Sequence, residues 1–294
     1  MKNNVTIRKL GEEMKNIKNL SDFIEILGEI RKNRQRGHEL FFRGHESVNY
    51  RLEPSIHRNK KYIYNEYELF KEIVLEHPNE FADDSTALEK LVRMQHYGLP
   101  TRILDLTKNP MVALYFACSD QEGKVNKENN GEVVVLSIPS NEIKYYDSDS
   151  VSVLSNLCKL KTIEKRFDFK LNRLQFNEQE NVYKLIHAIR EEKSYFSNYI
   201  VPNDLNDVFC VKVKKNNARI IIQNGLFLIY GLRMEQNILE NEKKWVVSSD
   251  NNYKIIIDRE YKLKIKNELE LIDITNKSLF PELENNIKML KKKY

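Results

Sequence analysis

At Gly131 the hydrophobic rhythm of this chain changes, and that change constrains the fold more than any other feature. Before it, apolar residues recur at helical spacing. Leu20, Phe23, Ile24, Leu27 and Ile30 share one face, and Leu88, Leu91 and Val92 share another. After it, residues 132–138 form a β-branched run. Short runs at 208–213, 219–223, 226–230, 245–247 and 253–257 also read as strands. The stretches 141–200 and 259–294 read as mostly helical. Helices and strands in mixed order, without regular βαβ alternation, predict an α+β fold. The expected form is a mixed, mainly antiparallel sheet of short strands with flanking helices.

Local signals set the boundaries. Residues up to 36 read as helical, with Ser21 and Asp22 as candidate caps and Gly37 as the stop. Residues 39–43 read as a strand ending at Gly44. One helix is expected over 62–77, stopped by Pro78. A second opens where Thr86 and Glu89 stand at capping-box spacing, and closes at Tyr97-Gly98. Residues 101–106 read as a short strand or extended loop. Asn109-Pro110 then starts a helix over 111–119 that is apolar on most sides. No long linker divides the chain. The expected organisation is an N-terminal helical segment, 1–36, and one α+β unit over 37–294.

Composition narrows the function classes. The net charge of +5, from 48 basic and 43 acidic residues, lacks the clustered excess of a dedicated duplex binder. Three cysteines at no metal spacing argue against a disulfide scaffold or a zinc knuckle. No apolar leader or run of membrane-spanning length is present, so a cytoplasmic chain with no membrane partner is expected. A Gly-rich phosphate loop, GxGxxG, HExxH and GxSxG are all missing.

Three segments concentrate side chains with chemistry. In Phe41-Phe42-Arg43-Gly44-His45, an arginine at the end of an apolar strand offers a rigid fork for phosphate or carboxylate. Taken alone, pairing with a buried carboxylate explains it better. The second segment runs from Gln95 to Asp105. Gln95 and His96 lie in a last helical turn, where the macrodipole favours imidazolium. If the connection that follows is extended, Arg102 and Asp105 point to opposite faces. A buried polar network locking a turn is the competing reading. The third is Arg219-Ile220-Ile221-Ile222-Gln223-Asn224-Gly225-Leu226-Phe227, which reads as a hairpin turning at Asn224-Gly225.

Together these segments resemble the FRG-domain family. Phe42-Arg43-Gly44 is the motif that names the family, and Leu52, Pro54 and Ser55 follow it as they do there. Residues 95–105, then Thr107, Asn109, Pro110 and Ala113-Leu114-Tyr115-Phe116-Ala117, resemble its most specific block. Arg219-Ile220 with Gln223-Asn224-Gly225-Leu226-Phe227 resembles its late motif, and Leu279-Phe280-Pro281-Glu282-Leu283 its C-terminal element. Leu106 stands where the family commonly has Trp, which removes a stacking surface. The resemblance implies a bacterial intracellular protein, of a kind fitting phage-defence or toxin-like settings.

The order of an early strand Arg, a middle polar segment and a late Gln is compatible with similarity to the ADP-ribosyltransferases. That similarity implies NAD as a substrate, with no permanently bound cofactor. Arg43 would hold phosphate, with Thr101 and Arg102 as further binding residues. Tyr97 or His96 would orient the nicotinamide or ribose. Asp105, His96 and Gln223 are the candidate catalytic residues; Asp105 would stabilise positive charge developing on the ribose, which Gln223 cannot do as an anion. The first alternative is a nucleotide or nucleic-acid sensor without turnover. There Lys212, Lys214, Lys215 and the tail Lys291-Lys292-Lys293 add phosphate affinity. The second is a nuclease built on the Glu-x-Lys triplet at 122–124.

Overall fold

The computed structural model describes residues 16–120, 123–125, 127–233, 244–245 and 254–282. The chain enters through β1 (Asn16–Ile17) and α1 (Leu20–Lys32) into β2 (His38–His45). Helices α2 (Lys60–Tyr64), α3 (Glu66–Glu76) and α4 (Ala87–His96) follow, then β3 (Ile103–Thr107) and α5 (Pro110–Cys118). Next come β4 (Gly131–Pro139), β5 (Lys144–Tyr145), α6 (Asp149–Asn156), α7 (Arg173–Asn177), α8 (Glu180–Arg190) and β6 (Val208–Lys212). The described chain closes with α9 (Ala218–Ile222), β7 (Gly225–Tyr230), β8 (Lys254–Ile257), α10 (Lys262–Glu270) and α11 (Asn276–Leu279).

The strands form one eight-stranded sheet in the order β1-β8-β4-β2-β3-β7-β6-β5. Among the described strands only the end pairs, β1–β8 and β5–β6, are parallel. The expected mixed, mainly antiparallel α+β sheet is therefore present. None of the described helices is long and apolar enough to cross a membrane.

Several local expectations needed correction. The cap of α1 is Asn19, whose side chain accepts from the Asp22 amide, not Ser21 or Asp22. The single helix expected over 62–77 is two, because Asn65 ends α2 by donating its side-chain amide to the Lys61 carbonyl at 2.8 Å. Residues 219–223 are not a strand. Asn217 accepts from the Arg219 amide and starts the short helix α9, in which Ile220 is buried while Ile221 and Ile222 are exposed. Trp245 lies in a turn whose carbonyl accepts from the Ser137 amide. The strand expected to continue from it falls outside the described residues, as do residues 1–15 of the expected N-terminal helical segment and the helix and Lys tail beyond 282; Asn16–Ile17 is a strand, not helix.

Alternation along the strands sorts the core into layers. One sheet face carries Phe41, Leu104, Leu106, Val134, Leu136 and Leu228, covered by Leu52, Ile56 and Trp245. The other face carries two separate cores. Phe42, Val133, Val135 and Ile255 pack under α1, α5 and α10. Ile103, Phe209, Phe227 and Ile229 pack under α4, α6 and α8. The boundary between these two cores runs along the seam where β2 meets β3. At the seam α5 lies directly on β2: a Cβ on Gly44 would stand 1.9 Å from the Ala113 carbonyl oxygen, so only glycine admits that approach.

Candidate functional site

The seam is where the sheet comes apart. β3 is zipped to β7 along all five of its residues, Ile103 to Thr107. Its register with β2 holds a single pair, Phe42 with Thr107. The Arg102 carbonyl accepts from the Tyr230 amide at 3.1 Å, and the Lys108 amide donates to the Asn224 carbonyl at 3.2 Å. Even-numbered positions of β3 therefore face β7. By the alternation of an antiparallel ladder, Ile103, Asp105 and Thr107 turn their backbone groups toward β2. At Asp105 no strand pair answers. The Arg43 guanidinium does so instead, donating from Nη1 to the Asp105 carbonyl oxygen at 2.6 Å.

A cleft of about 220 Å³ opens in this split. Arg43, Arg58 and Arg219 line it together with Asp105, and Phe42, Val112 and Phe116 supply apolar floor. Arg43 is 16% exposed and Asp105 51%, with Nη1 of the one 4.0 Å from Oδ2 of the other. Burial lowers the Arg43 pKa from its usual value, and the neighbouring Asp105 opposes that; the guanidinium stays charged. Its Nε donates to Nε2 of His45 at 3.1 Å. An arginine Nε can only donate, so Nε2 is the acceptor and the proton of that imidazole sits on Nδ1. Nδ1 faces the buried Glu132 carboxylate at 2.8 Å. A buried His45–Glu132 pair thus fixes the orientation of Arg43.

Asp105 has its own support. Gln95 donates from Nε2 to Asp105 Oδ2 at 2.8 Å. The Gln95 carbonyl oxygen accepts from the Thr101 hydroxyl at 2.8 Å and the Ser55 hydroxyl at 3.3 Å. An ionised carboxylate only accepts, so the NH2 end of the amide faces Asp105 and its oxygen is left for the two hydroxyls.

His96 lines a smaller adjoining cavity, which shares Asp105, Leu106, Arg219 and Gln223 with the main cleft. Its pKa is lowered, by burial first and then by Arg219, with Glu282 pulling the other way. The imidazolium expected from the helix dipole is therefore disfavoured: desolvation outweighs the dipole. Gln223 also lines both cavities, but its amide Nε2 donates to the Leu279 carbonyl at 3.0 Å. Its backbone carbonyl accepts from the Thr107 hydroxyl.

Arg43, Asp105 and Gln223 thus meet in one cleft, with His96 next door. Three of the expected binding residues do not reach it. Arg102 is 1% exposed and pairs with a buried Glu66, with Nη1 donating to the Tyr230 carbonyl at 2.7 Å. Its assignment as a phosphate ligand is corrected, because its guanidinium is committed inside the protein. Thr101 is buried and acts through Gln95. Tyr97 is 66% exposed, and its hydroxyl turns to Glu80 at 3.4 Å. Arg102 and Asp105 thus meet different surroundings, the one paired inside the protein and the other lining the cleft.

The sequence reading gave no role to Gln95, Arg58, Arg219 or the His45–Glu132 pair. Arg219 and Gln95 lay inside motif segments and carried a usable signal. Nothing local marks Arg58 or Glu132. Of the Glu-x-Lys triplet, Glu122 lies outside the described residues.

Residues 38–126 match the family model described as the FRG domain. The matched stretch contains β2, α4, β3 and α5, and hence Arg43, His96 and Asp105; Arg219 and Gln223 lie beyond it. No curated protein and no solved structure matches the chain.

Proposed function

From the premise that an FRG domain spans residues 38–126 of this chain, we propose that the protein handles a nucleotide in the split between β2 and β3. The observation that carries this reading is the lining of the cleft: Arg43, Arg58 and Arg219 share it with a half-exposed carboxylate, Asp105, and with Glu46 and Asp120. Guanidinium forks suit phosphate oxygens. A carboxylate held beside them suits a cation that forms next to a phosphate.

NAD meets both requirements. Loss of nicotinamide breaks its C–N bond to the ribose, and the electron pair leaves with nicotinamide. The ribose becomes oxocarbenium-like, and the Asp105 carboxylate stabilises it. Water, or an acceptor hydroxyl or amine, then attacks the ribose carbon and gives up its proton. With water the products are ADP-ribose, nicotinamide and a proton. The ADP-ribosyltransferase-like reading rests on Arg43, Asp105 and Gln223 lining one cleft in that chain order. Gln223, tied to Leu279, orients; Asp105 bears the charge. The family resemblance extends the proposal to a bacterial defence effector in the cytoplasm.

Nicotinamide release from NAD by wild type and by Asp105→Asn tests this, with and without DNA, RNA and lysate. The expected result is release by wild type and a loss of roughly a hundredfold or more in the variant. Equal rates would overturn the role of Asp105.

One observation favours a second reading, a nucleotide sensor without turnover. Asp105 already accepts from Gln95 and stands 4.0 Å from Arg43, so its charge is partly answered before any substrate arrives. Nucleotide binding with no release of nicotinamide under any condition would establish that alternative.

A further inference from the structure

The stretch Leu279–Glu282, which begins at the last residue of α11, touches the site three times. Leu279 accepts from the Gln223 amide at 3.0 Å. The Phe280 ring lies under the Arg219 guanidinium, 4.6 Å from centroid to Cζ, and meets Phe116 edge-on at 6.0 Å. A Glu282 carboxylate oxygen stands 3.0 Å from His96 Nε2. Gln223, Arg219 and Phe116 line the main cleft, and His96 lines the adjoining cavity. A single short stretch of chain therefore engages both halves.

The chemistry at His96 is that of an anion subsite. The Asn217 side-chain nitrogen lies 3.5 Å from His96 Nδ1. An amide nitrogen only donates, so Nδ1 accepts and Nε2 carries the proton. Nε2 stands 3.0 Å from Glu282 Oε1, a buried oxygen that no hydrogen bond among the described residues completes, and Arg219 lines the same cavity. A neutral imidazole N–H beside a fixed guanidinium holds a carboxylate or a phosphate oxygen equally well.

We propose that Glu282 is an internal stand-in for a second ligand anion, and that a nucleotide carrying two phosphates displaces it. One phosphate would bind at Arg43 and Arg58, and the next at His96 and Arg219, with Asp105 on the wall between them. This rests on the nucleotide-binding reading of the cleft and specifies its ligand class as a nucleoside diphosphate or a dinucleotide pyrophosphate. It also makes the Leu279–Glu282 segment a competitor. A protein that must first vacate its own subsite binds with an affinity reduced by the vacant fraction.

The test titrates ADP and AMP into the full chain by calorimetry, using wild type, Glu282→Gln and the double variant Glu282→Gln with His96→Ala. Thermal melts confirm that each is folded. Glu282→Gln keeps the shape of the side chain and removes its charge. The expected result is that it tightens ADP binding by about three- to tenfold and leaves AMP unchanged. Adding His96→Ala should abolish the gain. If Glu282→Gln leaves ADP binding unchanged or weaker while Arg43→Gln still weakens it, the competitor proposal fails and the nucleotide cleft stands. Equal tightening of ADP and AMP would remove the two-subsite claim. Absence of binding by wild type and Glu282→Gln alike would overturn both proposals.

Discussion

The two edges of β3 use the same materials to opposite ends. On the β7 side the strand is fully zipped, and beside it the buried Arg102 and Glu66 form an ion cluster with the partly buried Lys165. On the β2 side one residue pair holds, and Arg43 meets Asp105 in an open cleft. Each edge has an arginine donating to a backbone carbonyl: Arg102 to Tyr230, and Arg43 to Asp105. The difference lies in what remains. Glu66 receives both Arg102 and Lys165 and is satisfied within the protein. The carboxylate of Asp105 stays half exposed. A polar group completed inside the fold supports structure; one left half answered at a parted strand is available to a ligand.

The harshest way to break this contrast is Arg102→Ala. It leaves Glu66 buried with only Lys165, and removing one partner of a buried pair costs about 3–5 kcal/mol. A cooperative melt close to that of wild type would contradict a structural role.

Acid probes the same cluster. Burial pushes the Glu66 carboxyl up, but Arg102 and Lys165 outweigh it and hold its pKa at about 2, against an ordinary 4.5. A depressed carboxyl contributes stability above its unfolded pKa, and that contribution is lost as pH falls through the folded value. Denaturant melts should therefore lose about 3 kcal/mol between pH 4.5 and pH 2 through this one group. In Glu66→Gln that component should be missing.

On the open side, Gln95→Ala should cost only about 1 kcal/mol in stability. It frees Asp105 to rotate, so nicotinamide release should fall further than the melting point suggests. The smallest effect belongs to Tyr97→Ala. Its side chain is exposed and outside both cavities, so stability should change by less than about 0.5 kcal/mol and ligand affinity not at all. A clear loss of binding there would move the site off the seam.

Much of this was legible in residue order. The Thr86–Glu89 capping box, the Gly98 stop at φ 82° and the Asn109-Pro110 start of α5 all form as the local chemistry demands. Residue order alone could not say which of Arg102 and Asp105 faces a cleft. That depends on where β2 parts from β3, and the parting is a tertiary property. Glu66, the partner of Arg102, lies 36 residues earlier on an amphipathic helix and carries no mark of its own. The triple Ile of α9 looked like a strand because β-branched runs favour one. The Asn217 cap and the chain's need to turn before β7 overrode that preference. Arg58 is an ordinary surface-type residue until the fold brings it to the cleft.

The central claim is that the β2–β3 split, and not the Arg102 side, is where ligand binds. Calorimetric titration of NAD into wild type and Arg43→Gln tests it most directly. The variant keeps a donor for the Asp105 carbonyl and removes the charge. The account predicts binding by wild type, at least about tenfold weaker binding by Arg43→Gln, and a melting point shared within a few degrees. Equal affinity in the two proteins would contradict it.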